Sequence, residues 1–329
     1  MKRLLDSLKT AAIVVAGLLA IIVALVVVKF YVMSPSKRAA PDLTAPRTAE
    51  AIERGRYLAE NVAACTECHS PLTDEGGVEA PTRGRIGAGR DFGDSGPNSP
   101  AHLRGSNITP DIATGLGTWT DGEIARAVRE GVSHDGRVLF PQMPYRTYGQ
   151  TLGDGETLDI IAYLRSLPAI TNDPGRTEVR FPVSMFVRTA PLALTTSPTP
   201  APSPSDKLSR GRWLLRTASC NDCHDSIDDH MQKLEGKALG GGFRFPLGER
   251  GVAVAPNISS DPATGVGAYT DEDLLRAIEE GKGKDGRRLY AMPWSSYRGM
   301  TREDKAALIA ALRVVPAVVN QVPRSNIRP

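Results

Sequence analysis

Aromatic residues are scarce in this sequence of 329 residues, since Phe, Trp and Tyr together make up only 5% of it. The chain also has 32 Gly and 25 Pro, an unusual balance for a protein that must build close-packed cores from its own side chains. A large apolar cofactor would supply buried contact area that the side chains do not. Composition alone does not identify that cofactor.

A strong excess of charge is also missing. The net charge is +3, and no dense run of Lys and Arg with interleaved aromatic residues occurs, so nucleic acid is not an expected partner. Cysteine is limited to four residues. The length is sufficient for two domains of ordinary size.

One long apolar run lies near the N-terminus. Within residues 11–33 the only charged residue is Lys29, and at about 1.5 Å per residue a helix of this length crosses a hydrocarbon core of about 30 Å. We predict a single transmembrane anchor over residues 11–33. Residues 1–10 are expected to be cytoplasmic, because basic residues outnumber acidic ones there. The alternative is a cleaved signal peptide, although the run is longer than a usual signal core and no convincing cleavage site follows it closely.

The rest of the chain contains the same pattern twice, at an offset of roughly 150 residues. RGRYL at residues 54–58 recurs as RGRWL at residues 210–214. NITPDIATGLGTWTD at residues 107–121 recurs as NISSDPATGVGAYTD at residues 257–271. We interpret the two copies as duplicated domains.

The predicted domains cover residues 48–188 and 207–329. Residues 189–206 between them include TTSPTPAPSPSD, a composition that cannot bury a core and favours an extended, polyproline-like linker. Residues 34–47 are expected to form a second linker, between the anchor and the first domain. Each domain is predicted to be all-α, with short helices joined by long Gly-rich loops.

One helix in each domain has the same start and stop signals. The start signal is Thr followed three residues later by an acidic residue, and the stop signal is Gly. These residues are Thr120, Glu123 and Gly131 in the first copy and Thr270, Asp273 and Gly281 in the second.

All four cysteines lie in two short motifs, CTECH at residues 65–69 and CNDCH at residues 220–224. Both follow C-x-x-C-H, the attachment pattern of c-type haem. On a turn of helix the two thiols reach the two vinyl groups of one haem, and the adjoining His presents its imidazole to the iron. We therefore predict two covalently bound haem c groups. Their binding residues are Cys65, Cys68 and His69 for one and Cys220, Cys223 and His224 for the other.

Three other uses of such cysteines compete with haem: a redox dithiol, a zinc site and disulfides in an exported chain. The His directly after both motifs and their matching positions in the two copies favour haem. The absence of further cysteines favours it as well.

The opposite side of each haem iron can take Met, a second His, or no ligand. A Met-Pro pair stands at the same point in both copies, at residues 143–144 and 292–293. A Met thioether is a soft ligand that raises the reduction potential, as suits an electron carrier. We predict Met143 and Met292 as iron ligands opposite His69 and His224. The alternative is that both Met residues fill the core.

The evidence for a haem-binding role is weaker at the other candidate residues. Several His and Met residues have no counterpart in the other copy, and the His residues among them are interpreted as surface or loop residues: His102, His134, His230, Met185, Met231 and Met300. Four residues of the Gly-rich loops are paired between the copies: Asn107 with Asn257 and Trp119 with Tyr269. These paired residues either hold haem propionates or serve turn formation.

The longer pattern resembles a known family. RGRYL, NITPDIATGLGTW and REGVSHDGRVLFPQMPY make residues 48–170 similar to the class I cytochrome c subunits of membrane-bound alcohol, aldehyde and gluconate dehydrogenases, with residues 207–316 more loosely similar. The resemblance implies that the first and last helices of each domain cross beside the haem, with Gly55 and Gly211 allowing close approach. Those subunits usually carry three haems, whereas this chain has two motifs.

These observations together predict an electron-transfer protein rather than an enzyme. We expect it in a bacterial inner membrane, with its haem domains on the periplasmic side. The electron donor would be a redox protein such as a periplasmic dehydrogenase subunit. The electron acceptor would be a terminal oxidase, a quinone-linked complex or a soluble cytochrome. The alternatives are a dihaem enzyme, such as a peroxidase with one open haem, and a structural subunit.

Overall fold

The N-terminal apolar run forms a helix, α1 (Lys2–Val27), extended by a π-helical turn (Val28–Val32). The structure is a computed structural model that describes residues 2–32, 38–75, 78–94, 99–228 and 232–328. Along the helix the large apolar side chains from Leu8 to Val28 are exposed. Within these described ranges α1 with its extension is the one helix long and apolar enough to cross a membrane. It fits the predicted anchor.

Five helices recur in the same order in both copies. In the N-terminal half (residues 48–188) they are α2 (Ala49–Tyr57), followed by a π-helical turn (Leu58–Val62), α3 (Cys65–His69), α4 (Asp121–Glu130), α5 (Tyr145–Thr151) and α6 (Asp154–Ser166), after which comes a short helix, α7 (Val183–Val187). In the C-terminal half (residues 207–328) they are α8 (Lys207–Thr217), α9 (Cys220–His224), α10 (Asp271–Glu280), α11 (Trp294–Tyr297) and α12 (Arg302–Arg313).

The predicted helix ends of α4 and α10 are confirmed. The Thr120 hydroxyl accepts from the Glu123 amide at 3.1 Å, and the Glu123 carboxylate accepts from the Thr120 amide at 2.7 Å. Thr270 forms the same capping box at the start of α10. Gly131 and Gly281 end the two helices in the left-handed conformation, with φ of 71° and 63°.

The first and last helices of each half cross at a glycine. A Cβ on Gly55 of α2 would lie 1.8 Å from the backbone oxygen of Asp159 in α6. A Cβ on Gly211 of α8 would lie 2.0 Å from the backbone oxygen of Ala307 in α12. Only a residue without a side chain permits such backbone contact, which confirms the close approach expected at these two glycines.

Short antiparallel strands accompany the helices, and the sequence reasoning missed them. Helix makes up 41% of the chain and strand 10%, so a mostly helical protein is confirmed while an exclusively helical one is not. The strands form a hairpin, β1 (Leu72–Glu75) with β2 (Val78–Pro81), and two sheets, β3 (Arg90–Asp94), β4 (Ala101–Gly105) and β5 (Glu178–Val179), then β6 (Arg244–Pro246), β7 (Gly251–Val254) and β8 (Asn326–Ile327). Strands of two to five residues are too short to show a clear alternation.

The described parts of both predicted linkers are extended and lie against the N-terminal half. Of the first, residues 38–47 are described, and the Ala45 amide donates to Asp121 of α4 at 2.9 Å. In the second, Ser197 accepts from the Asp154 amide at 3.1 Å, and the Ala201 amide donates to Glu156 at 2.9 Å. These parts are therefore attached to the N-terminal half, because Ala45, Ser197 and Ala201 bond to residues at the starts of α4 and α6.

One hydrophobic cluster runs through both halves. It includes Leu58 and Ile160 from the N-terminal half and Leu214, Met300 and Leu308 from the C-terminal half, all nearly fully buried. Met300 is therefore a core residue. Continuous burial across the two copies means that they pack as one body.

Candidate haem sites

Each C-x-x-C-H motif forms a single helical turn, α3 in one half and α9 in the other. The residue before each turn has a positive φ, 50° at Ala64 and 56° at Ser219. This left-handed residue redirects the chain at the end of the preceding helix, so the motif starts a new helix in a new direction. The copies share this rare conformation as well as the motif.

No disulfide joins any of the four cysteines, so the disulfide alternative has no support. Burial raises the pKa of Cys65 and Cys220 to about 12. A redox dithiol needs a lowered pKa, so this raised pKa argues against that role. Among the described residues, no group of three or more His, Cys, Asp or Glu side chains is placed to hold a metal ion.

Both motif histidines have one ring nitrogen occupied by the backbone. The Nδ1 atom of His69 lies 2.7 Å from the Ser106 carbonyl oxygen, and that of His224 lies 2.8 Å from the Pro256 carbonyl oxygen. A carbonyl only accepts, so Nδ1 is the protonated nitrogen and Nε2 has a free lone pair for a metal. Burial lowers the pKa of both imidazoles, which favours this neutral form. The side chains fit a haem iron.

The paired asparagines hold loops together. The Asn107 amide donates to Thr114 at 2.9 Å and to the Ile170 carbonyl at 2.7 Å, and its oxygen accepts from the Thr109 amide at 3.0 Å. Asn257 makes the equivalent bonds in the other half. Protein groups use these side chains, so the structure supports the turn-forming role and not propionate binding.

The Met-Pro pairs lie in the turns immediately before α5 and α11. A tyrosine in each of these helices reaches back to the haem motif. The Tyr148 hydroxyl donates to the Ala63 carbonyl at 2.8 Å, and the Tyr297 hydroxyl donates to the Ala218 carbonyl at 2.6 Å. Each accepting carbonyl stands two residues before the first cysteine of a motif. The Met turn and the C-x-x-C-H turn of each half are thus tied together.

Sequence reasoning did not single out these tyrosines. A signal was present, because both occupy the fourth position after the Pro of the Met-Pro pair in the two copies. Tyr145 and Trp294 are a second pair of aromatic residues at matching positions, each directly after the Pro of a Met-Pro pair. Their rings cover Gly131 and Gly281, where a Cβ would come within 2.6 Å and 2.3 Å of the respective ring.

The buried polar atoms of the N-terminal half that have no protein partner include Arg137 Nε and the Tyr145 hydroxyl. Burial lowers the pKa of Arg137. A buried donor without an acceptor is costly, so an anionic group bound nearby would stabilise it. Arg287, at the matching position in the C-terminal half, is exposed and lies 3.6 Å from Asp285.

His102 and His134 make their contacts with residues outside the two motifs. His102 lies on β4 and contacts Asp91 at 2.8 Å. The His134 ring lies 4.6 Å from the Trp119 ring. His230 and Met231 are outside the described residues.

The two motifs face the opposite half of the molecule in a reciprocal manner. Thr147 of α5 donates to Asp222 of α9 at 3.0 Å, and Ser296 of α11 donates to Glu67 of α3 at 3.1 Å. Ser295 also donates to Glu67. In each pair, a hydroxyl three residues after the Pro contacts the acidic residue inside the other motif. We call these contacts the reciprocal clamps.

A second pair of cross-contacts has the same symmetry. Tyr57 and Trp213 occupy equivalent positions at the ends of the RGRYL and RGRWL repeats. The Tyr57 hydroxyl donates to Asp304 at 2.6 Å, where Arg210 also binds at 2.8 Å. The Trp213 indole donates to the Thr151 carbonyl at 2.7 Å. The halves therefore meet around an approximate two-fold axis that brings both motifs to the interface.

Comparison with known proteins also points to cytochromes. No protein-family model matches the chain. The chain is 28% identical over 85% of its length to the fructose dehydrogenase cytochrome subunit of Gluconobacter japonicus, covering 56% of that protein. It is 26% identical over 81% of its length to the cytochrome c subunit of the alcohol dehydrogenase (quinone) of Gluconacetobacter polyoxogenes, covering 56% of it.

A third relative, the gluconate 2-dehydrogenase cytochrome c subunit of Pantoea cypripedii, is 28% identical over 70% of this chain and is covered over 51% of its own length. The homologues are therefore cytochrome subunits of dehydrogenases, at modest identity over most of the chain. Their names designate the electron-carrying subunit and not the catalytic one. The chain spans about half the length of these curated relatives.

Proposed function

We propose that this protein is a membrane-anchored dihaem c-type cytochrome that carries electrons from a dehydrogenase or other donor toward the respiratory chain. The observation that carries the proposal is the duplicated C-x-x-C-H turn, with each histidine oriented by a backbone carbonyl. The haem iron, when bound, supplies one-electron chemistry by alternating between the ferrous and ferric states.

The chain's own residues hold and tune that group. Each pair of motif cysteines would form the two thioether bonds, Cys65 with Cys68 and Cys220 with Cys223. The carbonyl that accepts from His Nδ1 sets the orientation of the ring and raises the basicity of Nε2. Hydrogen-bond partners of metal-binding histidines commonly have this role. Arg137, whose buried Nε has no protein partner, would suit an anionic group such as a haem propionate.

The ligands on the opposite side would be Met143 and Met292. Tyr148 and Tyr297 support this role, because they hold the turns that carry the methionines against the haem motifs. A methionine ligand in each half would leave substrate no open coordination site, which would favour a carrier over a peroxidase.

The interface supports electron exchange within the molecule. The reciprocal clamps and the common core hold both motifs at one interface. A flexible linker would require a diffusional encounter of the two domains for each transfer, whereas a packed interface keeps the two haems at a constant separation.

The relatives and the apolar helix support the proposed setting. The homologues' names indicate a dehydrogenase as the donor. Helix α1 would fix the protein in a bacterial inner membrane. We infer that both haem domains lie on the periplasmic side, with a terminal oxidase, a quinone-linked complex or a soluble cytochrome as acceptor.

The haem count tests this proposal. We expect two haems per chain that stay attached through denaturing electrophoresis, and one haem in Cys65→Ala/Cys68→Ala. The matched variant Cys220→Ala/Cys223→Ala should retain the other haem. If either double variant still binds two haems, the assignment of the motifs is wrong.

The ligand assignment has a separate spectroscopic test. The oxidised protein should show the weak near-infrared charge-transfer band of Met-ligated haem, at the intensity expected for two haems. Met143→Ala and Met292→Ala should each remove half of it and lower one reduction potential by a sizeable part of the ~0.8 V range that axial ligands span. A missing or half-sized band in the unmodified protein would favour the haem-enzyme alternative.

A further inference from the structure

The segment that leaves the N-terminal half exposes large apolar side chains. Residues 181–192 contain α7, and the solvent-exposed fractions of Phe181, Phe186 and Leu192 are 76%, 56% and 58%. Single exposed apolar residues are common, but three large ones in a stretch this short form a patch of the kind that marks an interaction surface. We call residues 181–192 the interfacial segment.

This segment contacts the end of the apolar helix. The Phe186 ring meets the Phe30 ring edge to face, with centroids 6.0 Å apart and planes at 83°. The Arg188 guanidinium lies 4.6 Å from the centre of the Tyr31 ring. Phe30 and Tyr31 belong to the π-helical turn that ends the helix. The exposed patch is therefore continuous with the point where the anchor would leave the bilayer.

Polar contacts hold both ends of the interfacial segment to the N-terminal half. Arg180 donates to the Ser99 carbonyl at 2.9 Å and pairs with Asp94 at 3.1 Å. Arg146 of α5 donates to the Ala190 carbonyl at 2.7 Å. The patch is thus presented by a fixed framework, and one attachment lies on the helix that follows the Met143 turn.

The side-chain chemistry is that of a membrane interface. Aromatic and aliphatic side chains favour the boundary between head groups and acyl chains, and nearby Arg residues favour anionic head groups. Arg188 and Lys29 provide positive charge beside the patch. A bilayer is the occupant that a neighbouring transmembrane helix would bring to this surface.

We propose that the interfacial segment is a second membrane contact, with Phe181, Phe186 and Leu192 inserted into the phospholipid leaflet from which α1 emerges. This inference rests on the anchoring role proposed for α1. A single membrane-spanning helix would leave the haem domains free to rotate and tilt relative to the bilayer. A second contact would fix the N-terminal half, and with it the first haem motif, at a set height and orientation above the bilayer.

Lipid photolabelling tests the proposal on the full-length holoprotein. The protein would be placed in nanodiscs of phosphatidylcholine and phosphatidylglycerol containing a phospholipid with a diazirine on its acyl chain, irradiated, digested and analysed by mass spectrometry. We expect labels in α1 and in the interfacial segment. The peptide with Ile112, which is 76% exposed in a loop of the same half, is the control and should be unlabelled. Labelling of the interfacial segment no greater than that of the control would overturn the proposal.

A chemical test gives an independent readout. The native cysteines are expected to be consumed by haem, so Phe186→Cys and Ile112→Cys each add one reactive thiol. In nanodiscs a water-soluble maleimide should modify Phe186→Cys at least tenfold more slowly than Ile112→Cys, with both rates normalised to those in denaturant. Equal rates would contradict the proposal.

The intact mass of the protein distinguishes failure of the proposed anchor from failure of the proposed second membrane contact. A protein that has lost residues of α1 and is soluble would refute the anchor itself. A protein that retains α1 in the bilayer but leaves the interfacial segment unlabelled would refute only the second contact.

Discussion

At the scale of single residues, Gly55 and Gly211 are among the positions where one added carbon would meet neighbouring backbone most closely. Both stand where two helices touch through their backbones, and both belong to the repeated RGR sequence. The backbone of α6 or α12 cannot move away without opening the core that supports the adjacent haem motif.

We predict that Gly55→Ala lowers the free energy of unfolding by about 3 kcal/mol, because the new Cβ would overlap the Asp159 carbonyl. Thermal unfolding of the holoprotein followed by circular dichroism would measure this. The control is Gly155→Ala in α6, where a Cβ has no heavy atom within 4 Å. That variant should be unchanged or more stable by up to about 1 kcal/mol. Equal stability of the two variants would argue against the close helix crossing.

Other single residues owe their roles to atoms that sequence cannot place. The orientation of His69 depends on the carbonyl of Ser106, and that of His224 on the carbonyl of Pro256. Backbone oxygens occur at every residue, so no sequence pattern distinguishes these two. The paired asparagines were visible in the repeat, but their contacts were needed to show that they serve the loops.

At the scale of secondary-structure elements, the short helices α5 and α11 link the two halves. Each presents a hydroxyl to the haem motif of the other half and a tyrosine to the motif of its own. A helix of only four to seven residues has little stability alone, so its geometry depends on these tertiary contacts.

We predict that Thr147→Val and Ser295→Ala/Ser296→Ala each weaken the interface by about 1–2 kcal/mol, since each removes hydrogen bonds to a carboxyl group. Electron exchange between the two haems after photoreduction should become slower, with both haem spectra unchanged. Ser166→Ala is a suitable control, because its hydroxyl donates to Tyr163 within α6. If exchange rates equal those of the control, the reciprocal clamps do not position the haems.

At the scale of the whole molecule, the two halves that contain the sequence repeat share a core, while the chain between them lies on the N-terminal half. The Pro-rich composition predicted an extended, polyproline-like linker, and the structure adds that this segment is bonded to the N-terminal half. Ser197 and Ala201 hold it there, because their polar groups bond to residues at the start of α6.

We predict that cutting the connection leaves the molecule assembled. A protease site inserted after Ser203 and cleaved in the purified holoprotein should yield two haem-bearing fragments that elute together on size exclusion. Adding Trp213→Phe, which removes the indole bond to Thr151, should weaken this association. Native fragments that separate at once after cleavage would show that the linker alone joins the halves.

The sequence by itself determined what depends on neighbours along the chain. Residues a few positions apart were enough to recognise the C-x-x-C-H motifs, the capping boxes at Thr120 and Thr270 and the apolar helix. Direct comparison of the sequence with itself was enough to recognise the duplication. Helix caps need only local geometry, so their patterns were sufficient, and the C-x-x-C-H pattern likewise needs only local geometry to predict haem attachment.

Only the tertiary structure decided how these parts face one another. The reciprocal clamps join residues 75 and 229 positions apart, and the contact between α1 and the interfacial segment likewise joins distant parts of the chain. Such pairs leave no periodic signal, because each results from the packing of the entire chain. Short strands and docked linkers follow the same rule, since their hydrogen-bond partners are supplied by whichever surface the folded core brings beside them.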